Sequence, residues 1–178
     1  MEERTVNSRR VFDGRLISVR VDEVELADGR RTRREIVEHP GAVVIAAWDG
    51  ERLATVRQWR HPAGAELLEL PAGTLDPGEA PLATAARELA EECGLAAGSW
   101  LEGPRFYSAP GFCTELLHSF VATDLVEAPS IADADEELET GWLTLPEALA
   151  AIDGGRVMDA KSIALIGWLA RRLPMAPP

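Results

Sequence analysis

Two kinds of hydrophobic pattern run along this chain. Between residues 10 and 40, Leu16, Val19, Val21, Val24 and Leu26 are interspersed with polar residues, as in half-exposed strands. Ala27-Asp28-Gly29-Arg30 supplies a hairpin turn, and a second strand is expected over 32–39. A hairpin pair alone is not stable in water, so this region must pack on the main body or on a second chain. From Gly41 the pattern changes: Ala42 to Ala47 is uninterrupted apolar sequence, which suits a strand covered on both faces. Asp49-Gly50 turns the chain, and residues 52–59 are expected to return as the hairpin partner of that strand. Two more strands are expected within 99–121, flanking the loop Ser108-Ala109-Pro110-Gly111-Phe112. Helices are expected over 146–152 and 161–173, the second with Ile163, Ile166, Leu169 and Leu173 as its packing stripe.

Residues 81–93 form the most informative helical segment. Pro81 suits a first helical turn, where its missing N–H is not needed, and Gly94 is placed to end the helix. Leu82, Ala86, Leu89 and Cys93 recur at helical spacing and define the face expected to be buried. Glu88, Glu91 and Glu92 stand at i, i+3 and i+4 and so share another face. An acidic, solvated helix is the plain reading, but like charges this close repel and a surface helix gains nothing from them. Hard divalent cations, in contrast, want several carboxylate oxygens converging from a rigid element. Ahead of the helix, Asp76-Pro77-Gly78 makes a turn, and Glu79 can reach Arg87 in a charge-assisted pair.

Composition narrows the class. A length of 178 residues allows one full core plus a small appendage, divided here as 1–40 and 41–178. Apolar content of 46% and charged content of 27% are ordinary for a soluble globular chain. The net charge of −12 argues against nucleic acid as a bulk partner. It leaves room for a small phosphorylated substrate, because bound cations reverse the local charge. Cys93 and Cys113 form no C-x-x-C pair, the first fifteen residues lack an apolar signal core, and no apolar run spans a membrane. A cytoplasmic protein is expected.

The run from Gly73 to Leu95 reads G-x5-E-x7-R-E-L-x-E-E-x-G-L through Glu79, Arg87, Glu88, Leu89, Glu91, Glu92 and Gly94. It resembles the signature box of the Nudix hydrolase family at every defining position. The resemblance implies an α/β class fold, a Nudix α/β/α sandwich with a mixed sheet, joined here to an N-terminal antiparallel β-hairpin region. It also implies hydrolysis of a nucleoside diphosphate linked to another group, with Mg2+ or Mn2+ as cofactor. Glu88 and Glu92 become principal metal ligands, Glu91 a further ligand or base, and the Ala72 carbonyl an additional ligand. Glu69, Gly73, Glu79 and Arg87 hold those groups in place.

Beyond the box, Ala109-Pro110-Gly111-Phe112-Cys113-Thr114-Glu115, Arg34 to His39 and Val56 to Arg60 are similar to the ADP-ribose pyrophosphatase branch. That likeness covers roughly residues 12–172. It implies cleavage of ADP-ribose to AMP and ribose 5-phosphate by a homodimer whose 1–40 region completes the neighbour's substrate pocket. Arg34, Glu35, His39, Arg60, Thr74, Ala109, Pro110, Gly111 and Glu115 are the implied substrate contacts. Arg60, at a strand end, reads equally as a surface charge or a phosphate ligand. The basic run Arg30, Arg31, Arg33 and Arg34 is either a solvated edge or a phosphate- or subunit-facing strand. In that branch a loop at 129–140 brings in a carboxylate, here matched to Glu136, as base or outer ligand. The slot two residues earlier is Ala134, so the base stays open among Glu136, Glu91 and Glu137. Competing readings are another nucleoside diphosphate sugar as substrate, such as ADP-glucose or GDP-mannose, and a module that binds ADP-ribose without cleaving it.

Overall fold

The computed structural model describes residues 2–129 and 138–172 and divides into two compact units. One comprises Met1–Gly41 with Phe106–Leu116; the other comprises Ala42–Arg105 with Leu117–Pro178.

In the first unit β1 (Arg4–Asp13), β2 (Ser18–Glu25) and β3 (Arg31–Glu38) form one antiparallel sheet in that order. The turn after β2 closes with Leu26 N–H donating to the Arg30 carbonyl, and Gly29 takes φ +83°, which a side chain would resist. The region is thus three-stranded, one strand more than the expected hairpin. Nearly all of β1 is solvent-exposed, so its sequence carries no apolar alternation to announce it. The basic run is matched by acidic neighbours within this unit: Arg30 pairs with Asp28, Arg31 with Glu25 and Arg34 with Glu3. Residues 106–116 join the sheet through Val37, which exchanges backbone hydrogen bonds with Phe112 and Thr114.

The second unit contains β4 (Ala42–Ala47), β5 (Arg52–Arg60), β6 (Ala65–Glu69), β7 (Ala72–Thr74), α1 (Pro81–Cys93), β8 (Leu95–Tyr107), β9 (Leu116–Glu127), β10 (Glu139–Thr144), α2 (Leu145–Asp153) and α3 (Ala160–Ala170). The ends of β8 and β9 run on into the first unit. Every residue of β4 is buried, as its unbroken apolar sequence requires. It lies inside a mixed sheet ordered β7-β4-β9-β8, parallel to β9 and antiparallel to β7. β5 does not pair with β4 as expected; it stands between β10 and β6 in a separate sheet. Only a single bridge, Trp48 to Leu53, survives of the anticipated hairpin. A strand apolar on both faces is better satisfied between two neighbours in a covered sheet than at a hairpin edge.

Alternate residues of β4 serve the two faces. Val43, Ile45 and Ala47 pack with Ala85 and Leu89 of α1, Phe120 and Ala122 of β9, and Ala54. α3 also contacts β4 and carries the buried residues Ser162, Leu165, Ile166 and Leu169. Its buried stripe is therefore shifted from the expected one: Ile163 is exposed, and Leu173 lies outside the described residues. Thr144 and Glu147 form a reciprocal capping box at the start of α2, where helix and strand meet without a loop. Among the described residues no helix is long and apolar enough to cross a membrane.

Candidate active site

α1 begins at Pro81 and stops at Gly94, whose left-handed backbone (φ +63°) lets its N–H close on the Ala90 carbonyl. Its buried residues are Thr84, Ala85, Leu89 and Glu92, while Leu82 is 45% exposed and Ala86 is exposed as well. The expected buried stripe is thus corrected. Positions 85, 88, 89 and 92 share one side of a helix, so Glu88 and Glu92 point inward with Ala85 and Leu89 rather than away from them. Two polar contacts reward this rotation. The Thr84 hydroxyl donates to Glu79 Oε2 at 2.8 Å, and Glu92 Oε2 accepts the Ala72 N–H at 2.9 Å.

β7 supplies the opposing wall. A β-carbon on Gly73 would fall inside the Glu88 carboxylate, so only glycine lets that side chain lie against the strand. Glu92 is anchored on the backbone of Ala72, the residue whose carbonyl is the expected additional ligand. Thr74 closes the strand, and its carbonyl accepts a long 3.4 Å bond from Arg87 Nη2.

Arg87 ties the set together. Its Nη1 donates to Glu88 Oε1 at 2.8 Å and Glu91 Oε2 at 2.9 Å, and its Nη2 to Glu79 Oε2 at 3.0 Å. The Glu79 bond leads in holding this guanidinium firmly in its charged form, against the opposing effect of burial. Arg87 in turn keeps the Glu79 carboxyl below its ordinary pKa. Burial, helped by the Glu92 charge, pushes the Cys93 thiol up to about 12, so it stays protonated and packs as a small hydrophobe.

The carboxylates do not close round one point. Among the described residues no group of three or more His, Cys, Asp or Glu side chains is gathered as a metal cage. Glu88 and Glu91 are instead drawn onto Arg87. The donors nonetheless fit a hard divalent cation: carboxylate and carbonyl oxygens alone, borne on a helix and a strand, with Gly73 bare so that the Glu88 carboxylate lies against the strand. Glu136, the loop carboxylate expected to join them, lies outside the described residues, as does Glu137.

A second polar cluster lies at the end of β6. The Glu69 side chain is 1% exposed, and Arg60 grips both its oxygens, Nε to Oε1 at 2.9 Å and Nη2 to Oε2 at 2.8 Å. Lys161 Nζ also donates to Oε2, and at 2.9 Å to Asp159 Oδ2. Burial pushes the Glu69 carboxyl up, but the Arg60 hydrogen bonds and the Lys161 charge outweigh it and hold the pKa below the usual carboxylate value. Lys161, Asp159, Ser162 and Thr84 were not singled out in sequence. Asp159 ahead of a helical run is an N-cap signal, whereas Lys161 gives no local sign of its partner.

The remaining expected contacts fall in the first unit. Glu35 is exposed on β3, and Arg34 pairs with Glu3. His39 comes together with the 106–116 segment: its N–H donates to Thr114 Oγ1 at 2.9 Å, and its Nδ1 stands 3.7 Å from Glu115 Oε1. Ala109, Pro110 and Gly111 form the turn, with the Ala109 carbonyl accepting from Phe112 and Cys113 N–H.

Residues 37–165 match the family model described as NUDIX domain, and residues 3–37 match that of the nucleoside diphosphate sugar hydrolase N-terminal domain. An ADP-ribose pyrophosphatase of Bacillus subtilis (strain 168) is 40% identical over 172 residues, covering 95% of this chain and 93% of the relative. A methanol dehydrogenase activator of Bacillus methanolicus is 40% identical over 173 residues, covering 94% and 92%. A solved structure described as an ADP compounds hydrolase has the same fold, with a TM-score of 0.87 at 23% identity over 97% of this chain and 95% of that one. Nudix hydrolases generally depend on a divalent metal, which agrees with the oxygen-only donors on α1 and β7. With its box intact from Gly73 to Leu95 and its glutamates docked on β7, the chain belongs to the Nudix hydrolase family.

Proposed function

We propose that the chain hydrolyses the pyrophosphate bond of ADP-ribose to AMP and ribose 5-phosphate. The observation that carries this reading is the complete carboxylate–arginine set of α1 seated on Ala72 and Gly73. The near full-length likeness to an ADP-ribose pyrophosphatase supports the choice of substrate.

Glu88, Glu91, Glu92, the Ala72 carbonyl and Glu136 are the proposed ligands, with Mg2+ as the cation and Mn2+ as its substitute. Such a cation supplies neutralisation of the diphosphate's charge, which otherwise repels an incoming nucleophile. Arg87 and Glu79 fix the rotamers of the glutamates, and Gly73 admits Glu88 to its place. A water oxygen bonds to phosphorus, the bridging P–O bond breaks, and the water's proton passes to a carboxylate, Glu136 or Glu91, with Glu137 third. Arg60 takes a phosphate oxygen. Thr74 belongs to the substrate contacts, as do Glu35, Glu115 and the Ala109-Pro110-Gly111 turn.

A homodimer belongs to the same proposal, with the 1–40 region as the dimerising, substrate-completing element and Arg34, Glu35 and His39 serving the neighbour's substrate. Exposed Val11, Phe12 and Leu16 give that region apolar surface for a partner copy. A cytoplasmic setting accords with two free cysteines among the described residues.

A second reading, hydrolysis of another nucleoside diphosphate sugar, is favoured by the match of residues 3–37 to a domain named for that whole class. Turnover of ADP-ribose, ADP-glucose, GDP-mannose, NADH and coenzyme A, each with Mg2+ or Mn2+, separates the readings. ADP-ribose is expected to have the highest kcat/KM, with AMP released. A higher value for GDP-mannose transfers the assignment to that sugar. Binding of ADP-ribose without turnover would make the chain a binding module.

A further inference from the structure

Arg87 uses every side of its guanidinium. Nε donates to Glu79 Oε1 at 3.3 Å, Nη2 to Glu79 Oε2 and the Thr74 carbonyl, and Nη1 to Glu88 Oε1 and Glu91 Oε2. A planar group gripped along one edge presents its far end in a fixed direction. Glu79 grips the Nε–Nη2 edge, so it sets where Nη1 meets Glu88 and Glu91. Yet Glu79 precedes α1, in the loop, and its side chain is 21% exposed. How well the guanidinium is aimed therefore depends on what steadies Glu79.

Thr84, in the first turn of α1, is placed to do so. The residue is 0% exposed, a position that an apolar side chain would fill as well, so its hydroxyl needs a partner to be kept there. A helical threonine commonly turns its hydroxyl back to the carbonyl four residues earlier. Here that carbonyl, of Ala80, is 3.4 Å away, whereas Glu79 Oε2 is charged and only 2.8 Å away. The hydroxyl has one proton to donate, and the carboxylate takes it. Oε2 is also the oxygen that Arg87 Nη2 reaches, so Thr84 fixes the atom that the guanidinium grips. Ala80, at the capping position, makes no side-chain bond to the helix start, which leaves Thr84 to tie the loop to the first turn. We propose that Thr84 is a positioning residue: its hydroxyl steadies Glu79 so that Arg87 holds Glu88 and Glu91 in the arrangement that binds the divalent cation. This rests on the reading that those carboxylates hold Mg2+ for diphosphate hydrolysis.

Calorimetric titration of the metal-free protein with Mg2+, together with its Tm before metal is added, tests the proposal without recourse to turnover. Thr84→Val keeps the shape and loses the hydroxyl; it is expected to raise the Mg2+ Kd about tenfold. Thr84→Ser keeps the hydroxyl and loses a buried methyl group, so it should lower the metal-free Tm yet hold the Kd close to wild type. Were Thr84 a packing residue alone, serine would be the worse of the two in both measurements. In a Glu79→Ala background Thr84→Val should raise the Kd no further, because the bond it removes is already gone. A Kd unchanged in Thr84→Val, one raised as far by Thr84→Ser, or a full further loss in the Glu79→Ala background overturns the inference. If Thr84→Val does not fold, Thr84→Ala replaces it with the same expectations. Failure of wild type to bind Mg2+ or to cleave any nucleoside diphosphate overturns the functional reading itself, before any variant is made.

Discussion

Two acidic centres stand in the same unit, and they handle charge in opposite ways. At the end of β6, Glu69 and Asp159 are matched by Arg60 and Lys161, cation for carboxylate. On α1 one arginine faces Glu79, Glu88 and Glu91 at once, and Glu92 lies beside them on the Ala72 N–H. At the end of β6 each carboxylate has a cation within hydrogen-bond distance. On α1, three carboxylates share one guanidinium in a partly buried place, and carboxylate oxygens gathered in this way suit an added hard cation. The first arrangement ties strand to helix, and the second gathers oxygen donors on one helix.

The sharpest way to break this comparison is to neutralise one of the α1 carboxylates. Glu88→Gln or Glu92→Gln should lower kcat for ADP-ribose about a hundred- to a thousandfold with the far-UV spectrum intact. Retained turnover would remove these residues from the site. Gly73→Ala should cost about a hundredfold, because the new methyl group displaces the Glu88 carboxylate without altering any charge; assay under saturating Mg2+ measures it.

Cation binding can be read without activity. Mg2+ at one hundred times its Kd should stabilise the wild type by about 2.7 kcal/mol, seen as a rise in Tm. Glu88→Gln should lose most of that rise, whereas Glu69→Gln, at the end of β6, should keep it. Equal loss in both would erase the distinction.

The smallest effect concerns pH. The Glu69 pKa is lowered on folding, so its contribution is present above the ordinary carboxylate value of 4.5 and is lost as pH falls through the folded value. Wild-type urea midpoints should therefore fall more steeply than those of Glu69→Gln below about pH 4.5. Parallel curves would mean that the pair does not favour the charged form.

Much of the active helix was legible locally. Pro81, Gly94 and the spacing of Glu88, Glu91 and Glu92 fixed its limits and the nearness of its carboxylates, because caps and helical periodicity act within a turn or two of the chain. The all-apolar run of β4 likewise announced a covered strand. Which face of α1 turned inward was not legible. Leu82 looked a better core residue than Thr84, yet Thr84 is buried because it bonds Glu79, and Glu92 because it bonds Ala72.

Sequence by itself therefore determined the covered strand β4, the ends of α1 and the placing of Glu88, Glu91 and Glu92 within about one turn of each other. Tertiary structure alone decided that β5 would leave β4 for β10 and β6, and that the Glu88 carboxylate would rest where Gly73 has no side chain. It alone brought Lys161 to Glu69, ninety-two residues apart. Local rules end where a partner comes from a distant part of the chain, since burial and charge matching are settled only once the elements have packed.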